Sequence, residues 1–378
     1  MNPSFDHSMQ HILEQRKAAS LYRSLQVNEG LIDFCSNDYL SFARCEKLKE
    51  HAKNYTDKIG PLSGSTGSRS ISGNTVFAEQ LEKMIAAFHQ AEAGLIFNSG
   101  YDANLGLFSC IAKKEDTLIC DELIHASIID GCRLSYASRF RFAHNDLEDL
   151  ESKLRKSKGN IFVAVESVYS MDGDMAPLSE IATVCRKYNA HLVVDEAHAT
   201  GLFGNQGRGL VSQHGLEEKV FARIHTFGKA IGCHGAVILG SDTLRNYLVN
   251  FARSFIFTTA LPVHSLIAVK CAYELLMADG FSNAYLHQLI EQFKSDFRSQ
   301  DDIYLIASCS PIQSLVIPGN ERVKHFSRQL QAKGFDVRAI VSPSVPAGKE
   351  RLRISLHVHN TVEQVDQLKL TLNELLSN

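Results

Sequence analysis

Residues 191–201 read HLVVDEAHATG, and this stretch decides the fold. A short apolar run, His191–Val194, ends on an acid, Asp195, with His198 three residues further on. Runs of this length, bounded by polar residues, suit buried strands better than helices. The pattern recurs outward in both directions. Upstream lie Ile161–Val165, Phe140–Phe142, Thr117–Cys120 and Gly94–Phe97; downstream lie Val220–His225 and Ala236–Leu239. Helical stretches near 101–113, 126–136, 146–157 and 178–189 separate most of these runs. Such alternation predicts an α/β fold: a large, mostly parallel seven-stranded sheet with helices on both faces.

In sheets of this kind ligands sit beyond the carboxyl ends of the strands. The chemistry-bearing residues fall there. After Gly94–Phe97 come Asn98, Ser99, Gly100 and Tyr101, opening a helix. Free amides at a helix start, with a glycine, form a seat for phosphate, and Tyr101 can stack on a ring. His125 follows the next run, Ser170 follows Ile161–Val165, and Thr226 and Lys229 follow Val220–His225. Lys229 lies between Gly228 and Gly232, small residues that let backbone and ligand come close. Burial of a lysine favours its neutral amine, which can hold a carbonyl cofactor covalently. Singly, each residue has an ordinary structural explanation: a helix cap, a turn hydroxyl, a solvated lysine. Together at one sheet edge, a phosphate seat, an aspartate for a ring nitrogen and a lysine for an aldehyde are the parts pyridoxal phosphate needs.

The remainder of the chain sets bounds. Its 378 residues suffice for two domains. The division expected is an N-terminal helical arm (1–44), a large domain (45–275) and a smaller α+β domain (276–378). An amphipathic helix is expected over 8–27, a short strand in Ile32–Tyr39, a ligand-approaching loop at Gly60–Gly73 and a helix over Thr75–Gln90. Residues 241–275 read as helical. In the last domain, strands are expected near 313–317, 335–340 and 351–356, and helices near 282–298, 321–333 and 361–376, with Asp301-Asp302 marking a loop.

With 39 basic and 42 acidic residues the net charge is −3, so neither nucleic acid nor an anionic membrane is indicated. No run is long and apolar enough to span a bilayer, and no secretory signal pattern opens the sequence. Nine dispersed cysteines without C-x-x-C imply reduced thiols, and hence a cytoplasmic setting. Dinucleotide, Walker A, nucleophile-elbow and H-E-x-x-H motifs are missing. His357 and His359 would share one side of a strand with no third ligand nearby, so no metal is expected.

The chain resembles the α-oxoamine synthase family, fold type I pyridoxal-phosphate enzymes that join an amino acid to an acyl-CoA with loss of CO2. Motifs that carry the resemblance run nearly end to end: Ser36-Asn-Asp-Tyr-Leu, Gly67-Ser-Arg-Ser-Ile-Ser-Gly73, Asn98-Ser-Gly-Tyr, His125-Ala-Ser-Ile-Ile-Asp-Gly, His144-Asn-Asp-Leu, Ser170-Met-Asp-Gly-Asp, Asp195-Glu-Ala-His-Ala-Thr-Gly and Thr226-Phe-Gly-Lys. Phe255–Pro262 and Ser344-Val-Pro-Ala-Gly are similar to the biotin-pathway member, which uses L-alanine and pimeloyl-CoA. The resemblance implies that Lys229 holds the cofactor and moves the α-proton. It further implies that Asp195 pairs the ring nitrogen, His125 stacks on the ring, and His198 reaches the phenolic oxygen with Ser170 and Thr226 nearby. Ser99, Gly100 and Tyr101 would seat the phosphate, helped by Thr259 of a second subunit in a homodimer. Asn37, Arg353 and His125 would meet the amino acid; Arg23 and Ser344 would meet the acyl substrate. Ser41 replaces the family's glycine after S-N-D-Y-L, and Ala230–His234 varies the loop after the lysine; both bear on acyl preference. A sister activity joining glycine to acetyl-CoA is the nearest rival. A non-catalytic partner subunit would lack the lysine.

Overall fold

In a computed structural model of the chain, residues 3–25, 27, 29–59, 64–295, 297 and 302–377 are described. Part of the Gly60–Gly73 loop (60–63), Asp301, and residues 296 and 298 of the helix expected over 282–298 lie outside the described residues. The chain forms two compact units. One comprises Asn37–Ser170 and Asp174–Tyr285; the other comprises Met1–Ser36, Met171–Gly173 and Leu286–Asn378.

The first strand of the chain, β1 (Ile32–Asp33), belongs to the smaller unit. The larger unit is built on β2 (Ala93–Phe97), β3 (Thr117–Asp121), β4 (Ser138–Phe142), β5 (Ile161–Glu166), β6 (His191–Asp195), β7 (Ala222–Thr226) and β8 (Ala236–Gly240). Their order across the sheet is β2-β8-β7-β6-β5-β3-β4. β5 is buried along its whole length, as the continuous apolar run of a sheet covered on both faces should be. Leu107, Phe108, Ile128, Val193, Ile224 and Ile238 pack the layer between sheet and helices. Helices start where the sequence offers a cap: Ser99 accepts from Asp102 N, Asp146 from Glu148 N and Asp149 N, and Ser241 from Leu244 N.

One strand departs from the parallel plan. β8 runs antiparallel to both β2 and β7, while the remaining pairs are parallel. Antiparallel neighbours need no crossover helix, so β7 and β8 are joined by a short loop. It is closed by Phe227 N donating to Gly235 O and Cys233 N to Phe227 O, each at 2.8 Å. Lys229 lies in this loop. Gly232 within it has φ +65°, and a Cβ there would stand 2.3 Å from Ala43 N, so only glycine fits.

In the smaller unit, β9 (Tyr304–Leu305), β10 (Ile312–Val316), β11 (Phe335–Asp336), β12 (Arg338–Ile340) and β13 (Arg351–Ser355) follow in chain order. β12-β13-β10-β9 form an antiparallel sheet, and β11 pairs with β1 in parallel. The run expected over 335–340 is therefore two strands, split at Val337. At the start of the chain the helix is Pro3–Ala18 rather than 8–27, and its apolar residues Met9, Ile12 and Leu13 are exposed. Among the described residues no helix is long and apolar enough to cross a membrane.

Candidate active site

The sheet brings Asp121, Glu166, Asp195 and Thr226 to the carboxyl ends of β3, β5, β6 and β7. Glu166 and Asp195 are register partners on adjacent parallel strands, so their side chains leave the sheet on one face. Asp195 is buried and firmly held: Oδ2 accepts from Asn104 Nδ2 at 2.8 Å, and Oδ1 from Ala197 N at 2.9 Å. Asn104 lies in the helix Gly100–Cys110, one turn beyond Gly100, and also donates to Ser127 Oγ at 3.0 Å.

His125 caps the helix Ala126–Leu134, its Nδ1 accepting from Ser127 N at 3.2 Å. Burial pushes this imidazole toward its neutral form, and the neighbouring Lys229 adds to that against the pull of Asp195. Lys229 Nζ lies 2.7 Å from His198 Nε2, and His198 Nδ1 lies 2.9 Å from the Tyr39 hydroxyl. Thr226 Oγ1 donates to Gly235 O at 3.3 Å and accepts from Gly228 N at 3.4 Å, bracing the lysine loop. Ser170 is buried, with its N–H on Glu166 Oε2 at 3.2 Å. Burial, reinforced by the Asp195 charge, raises the Glu166 carboxyl to about 8, against the opposing influence of Lys229.

Ser99 Oγ accepts from Asp102 N at 3.0 Å and donates to Asp102 Oδ2 at 2.8 Å. A Cβ on Gly100 would stand 3.4 Å from Thr226 Oγ1, in ordinary van der Waals contact, which places this helix start against the end of β7. Tyr101 is half-exposed, its hydroxyl donating to Asp130 Oδ2 at 2.5 Å. The exposed Thr259 offers its carbonyl to Asn98 Nδ2 at 2.9 Å. These groups suit pyridoxal phosphate: an amine for the aldehyde, an anchored carboxylate for the ring nitrogen, and a helix start with a bare glycine for the phosphate.

Asn37 belongs to the larger unit, where its Oδ1 accepts from Tyr39. Arg353 belongs to the smaller unit, nearly buried, its Nη1 on Ser355 Oγ at 3.0 Å. Arg23 and Ser344, far apart in sequence, meet at 3.3 Å and line one cavity of about 600 Å³ with Arg16, Tyr22 and Lys324. The histidines expected on a strand without a third ligand need correction. His357 and His359 follow β13, their rings stack at 4.6 Å, and Asp33 stands beside them within 4.8 Å. His357 Nδ1 and Nε2 each face an oxygen at 3.0 Å, on Asn360 and Ser36.

Three polar residues of the site drew no attention in the sequence. Asn104 had a signal, since it stands one helical turn from Gly100. Tyr39 stood within a quoted motif without an assigned duty. Glu166 ended an apolar run one residue past its expected limit.

Residues 29–368 match the aminotransferase class I and II family. An 8-amino-7-oxononanoate synthase of Emericella nidulans is 41% identical over 97% of this chain and 94% of its own length. Among solved structures, an 8-amino-7-oxononanoate synthase from Francisella tularensis is 30% identical, with TM-score 0.78 over 92% of this chain and 98% of that one. A lysine-to-alanine variant of a serine palmitoyltransferase from S. paucimobilis, solved with a bound PLP–myriocin aldimine, is 26% identical with TM-score 0.87, covering 99% of this chain and 98% of that one. An anchored aspartate, a histidine-paired lysine and a glycine helix start thus lie in a sheet these proteins share, and the chain belongs to the aminotransferase class I and II family, among the 8-amino-7-oxononanoate synthases.

Proposed function

We propose that the protein is a pyridoxal-phosphate-dependent acyltransferase. It condenses L-alanine with a pimeloyl thioester, releasing the thiol carrier and CO2 and yielding 8-amino-7-oxononanoate for biotin synthesis. The observation that carries this reading is the pairing of Lys229 with His198 at 2.7 Å beside the anchored Asp195, in a chain that aligns end to end with synthases of that name.

When bound, the cofactor supplies an electron sink for charge developing at the amino acid's α-carbon. The chain's own groups do the remainder. Lys229 Nζ attaches the cofactor and afterwards removes and returns the α-proton. Asp195, fixed by Asn104, would keep the ring nitrogen protonated, and the neutral His125 would pack on the ring. His198 would reach the phenolic oxygen, with Ser170 and Thr226 nearby, while Ser99, Gly100 and Tyr101 would seat the phosphate. Thr259 joins the phosphate seat of the partner subunit in a homodimer. On the larger unit, Asn37 would meet the alanine carboxylate. The donor is pimeloyl-CoA or its acyl-carrier-protein equivalent, and the setting is cytoplasmic.

Thiol release from pimeloyl-, acetyl- and succinyl-CoA, each offered with alanine, glycine or serine, tests the reading. Release with pimeloyl-CoA and alanine alone is expected. Release with acetyl-CoA and glycine instead moves the protein to the sister activity. Lys229→Ala should be inactive, and substantial turnover in that variant would overturn the site.

A further inference from the structure

Tyr39 has no duty in the scheme above, yet its side chain is fully buried and its hydroxyl lies midway along a line of polar atoms. The hydroxyl donates to Asn37 Oδ1 at 2.9 Å and stands 2.9 Å from His198 Nδ1. On the other side of the imidazole, His198 Nε2 meets Lys229 Nζ at 2.7 Å. A phenol has one proton to give. Given to Asn37, it leaves the Tyr39 oxygen as an acceptor, so His198 Nδ1 bears the ring proton and Nε2 turns its lone pair to Lys229.

We propose that Tyr39 is a positioning residue which, by accepting from His198 Nδ1–H, fixes the imidazole tautomer and so decides whether Lys229 meets an acceptor or a donor. The proposal rests on Lys229 being the cofactor lysine. An acceptor at Nε2 stabilises the lysine as ammonium; a donor there stabilises the free amine. Tyrosine and neutral histidine can each reverse direction, so this line has two polarities, one for each charge state of the lysine. Among the described residues, titratable groups that act on Lys229 include His125 at its helix start and Glu166 at the end of β5. Asp195, at the end of β6, acts on both. Removing one hydroxyl at position 39 leaves all of them in place.

The test follows capture of added pyridoxal 5'-phosphate by the full-length cofactor-free protein, read by visible absorbance against pH. Wild type, Tyr39→Phe and Lys229→Ala are compared. Phenylalanine leaves a buried His198 Nδ1–H without its acceptor, which favours the tautomer with the proton on Nε2, facing the lysine. The midpoint of the capture profile should fall by about one pH unit, the equivalent of one buried hydrogen bond. A midpoint that stays put or rises overturns the proposal, because loss of packing alone would slow capture without moving it. Capture by Lys229→Ala with wild-type absorbance would overturn the site itself, whereas a silent Lys229→Ala with an unmoved Tyr39→Phe defeats the Tyr39 proposal alone. Should Tyr39→Phe fail to fold, Asn37→Leu serves. It frees the Tyr39 proton for His198 Nδ1 and must lower the midpoint in the same direction, and an unchanged midpoint there is equally fatal.

Discussion

Asn104 Nδ2 and Asp195 Oδ2 meet at 2.8 Å with both side chains buried. A buried carboxylate must have its lone pairs met, and the helix Gly100–Cys110 supplies the donor. The element that opens at the proposed phosphate seat therefore also sets the angle of the acid. Asn104→Leu removes the donor at similar volume and should weaken retention of pyridoxal phosphate about 10- to 100-fold, the worth of one hydrogen bond to a charged group. Equilibrium dialysis against the cofactor checks this, and unchanged retention would show that Ala197 N alone suffices.

Glu82 is the buried hub of a second charged group. Its Oε1 accepts from Arg69 Nη1 at 2.7 Å and from Ile96 N at 2.9 Å, and its Oε2 from Arg245 Nη2 at 3.2 Å. Removing one member of such a network strands the others. Glu82→Leu should destabilise the protein by roughly 3–5 kcal/mol, seen as a large drop in the urea midpoint. Glu46→Ala, which breaks an exposed pair with Lys49, should leave the midpoint where it was.

His144 bridges two acids, Nδ1 to Asp121 at 3.0 Å and Nε2 to Asp174 at 2.7 Å. Burial works against its charge, but the two carboxylates prevail and push the imidazole up to about 9. Since the folded value exceeds the unfolded one, the bridge contributes fully below pH 6.5 and is lost as pH rises through 9. Relative to His144→Gln, the wild type should lose up to about 3 kcal/mol across that window. Parallel stability curves for the two proteins would refute the bridge.

Glu166 should behave in the same sense through another chemistry. Its folded value, about 8, lies above the unfolded 4.5, so its contribution falls as pH climbs between them. Glu166→Gln escapes that loss. Chemical denaturation at pH 5 and pH 9 should find the glutamine variant gaining on wild type at the higher pH, while an equal gap at both would place the glutamate's charge in water.

β2, β5 and β8 could be read from their apolar runs, because burial leaves little that is polar to blur them, whereas β4, SRFRF, is largely exposed and showed only its Phe140–Phe142 end. Strand direction could not be read. Neither the ARIHT of β7 nor the AVILG of β8 carries a mark of direction, and the hydrogen bonds at Phe227 and Gly235 close the short loop that reverses the chain between them. The helix Glu46–Ile59 was missed because its sequence, EKLKEHAKNYTDKI, offers few apolar residues to mark a period. Ser41 was noted as a departure from glycine without its reason: it takes φ 60°, ψ 26°, backbone where glycine is at ease and serine is strained. The residues after each strand end revealed the candidate site, whereas its supports did not show, since Asn104 and Tyr39 gain meaning only from neighbours 91 and 159 positions away.

The antiparallel β8 also governs the order in which the molecule is finished. β2 is an edge strand whose one strand partner is β8, residue 93 pairing with residue 240. Ser99 and Gly100, directly after β2, gain the support of a strand ladder only when that partner exists. On a translating ribosome the chain would expose most of its sheet with this corner still open, and only the emergence of residues 236–240 would clamp it. A protein cut short before Ala236 would have every aspartate and histidine of the site, and the lysine as well, but no clamped edge against which to hold an anion.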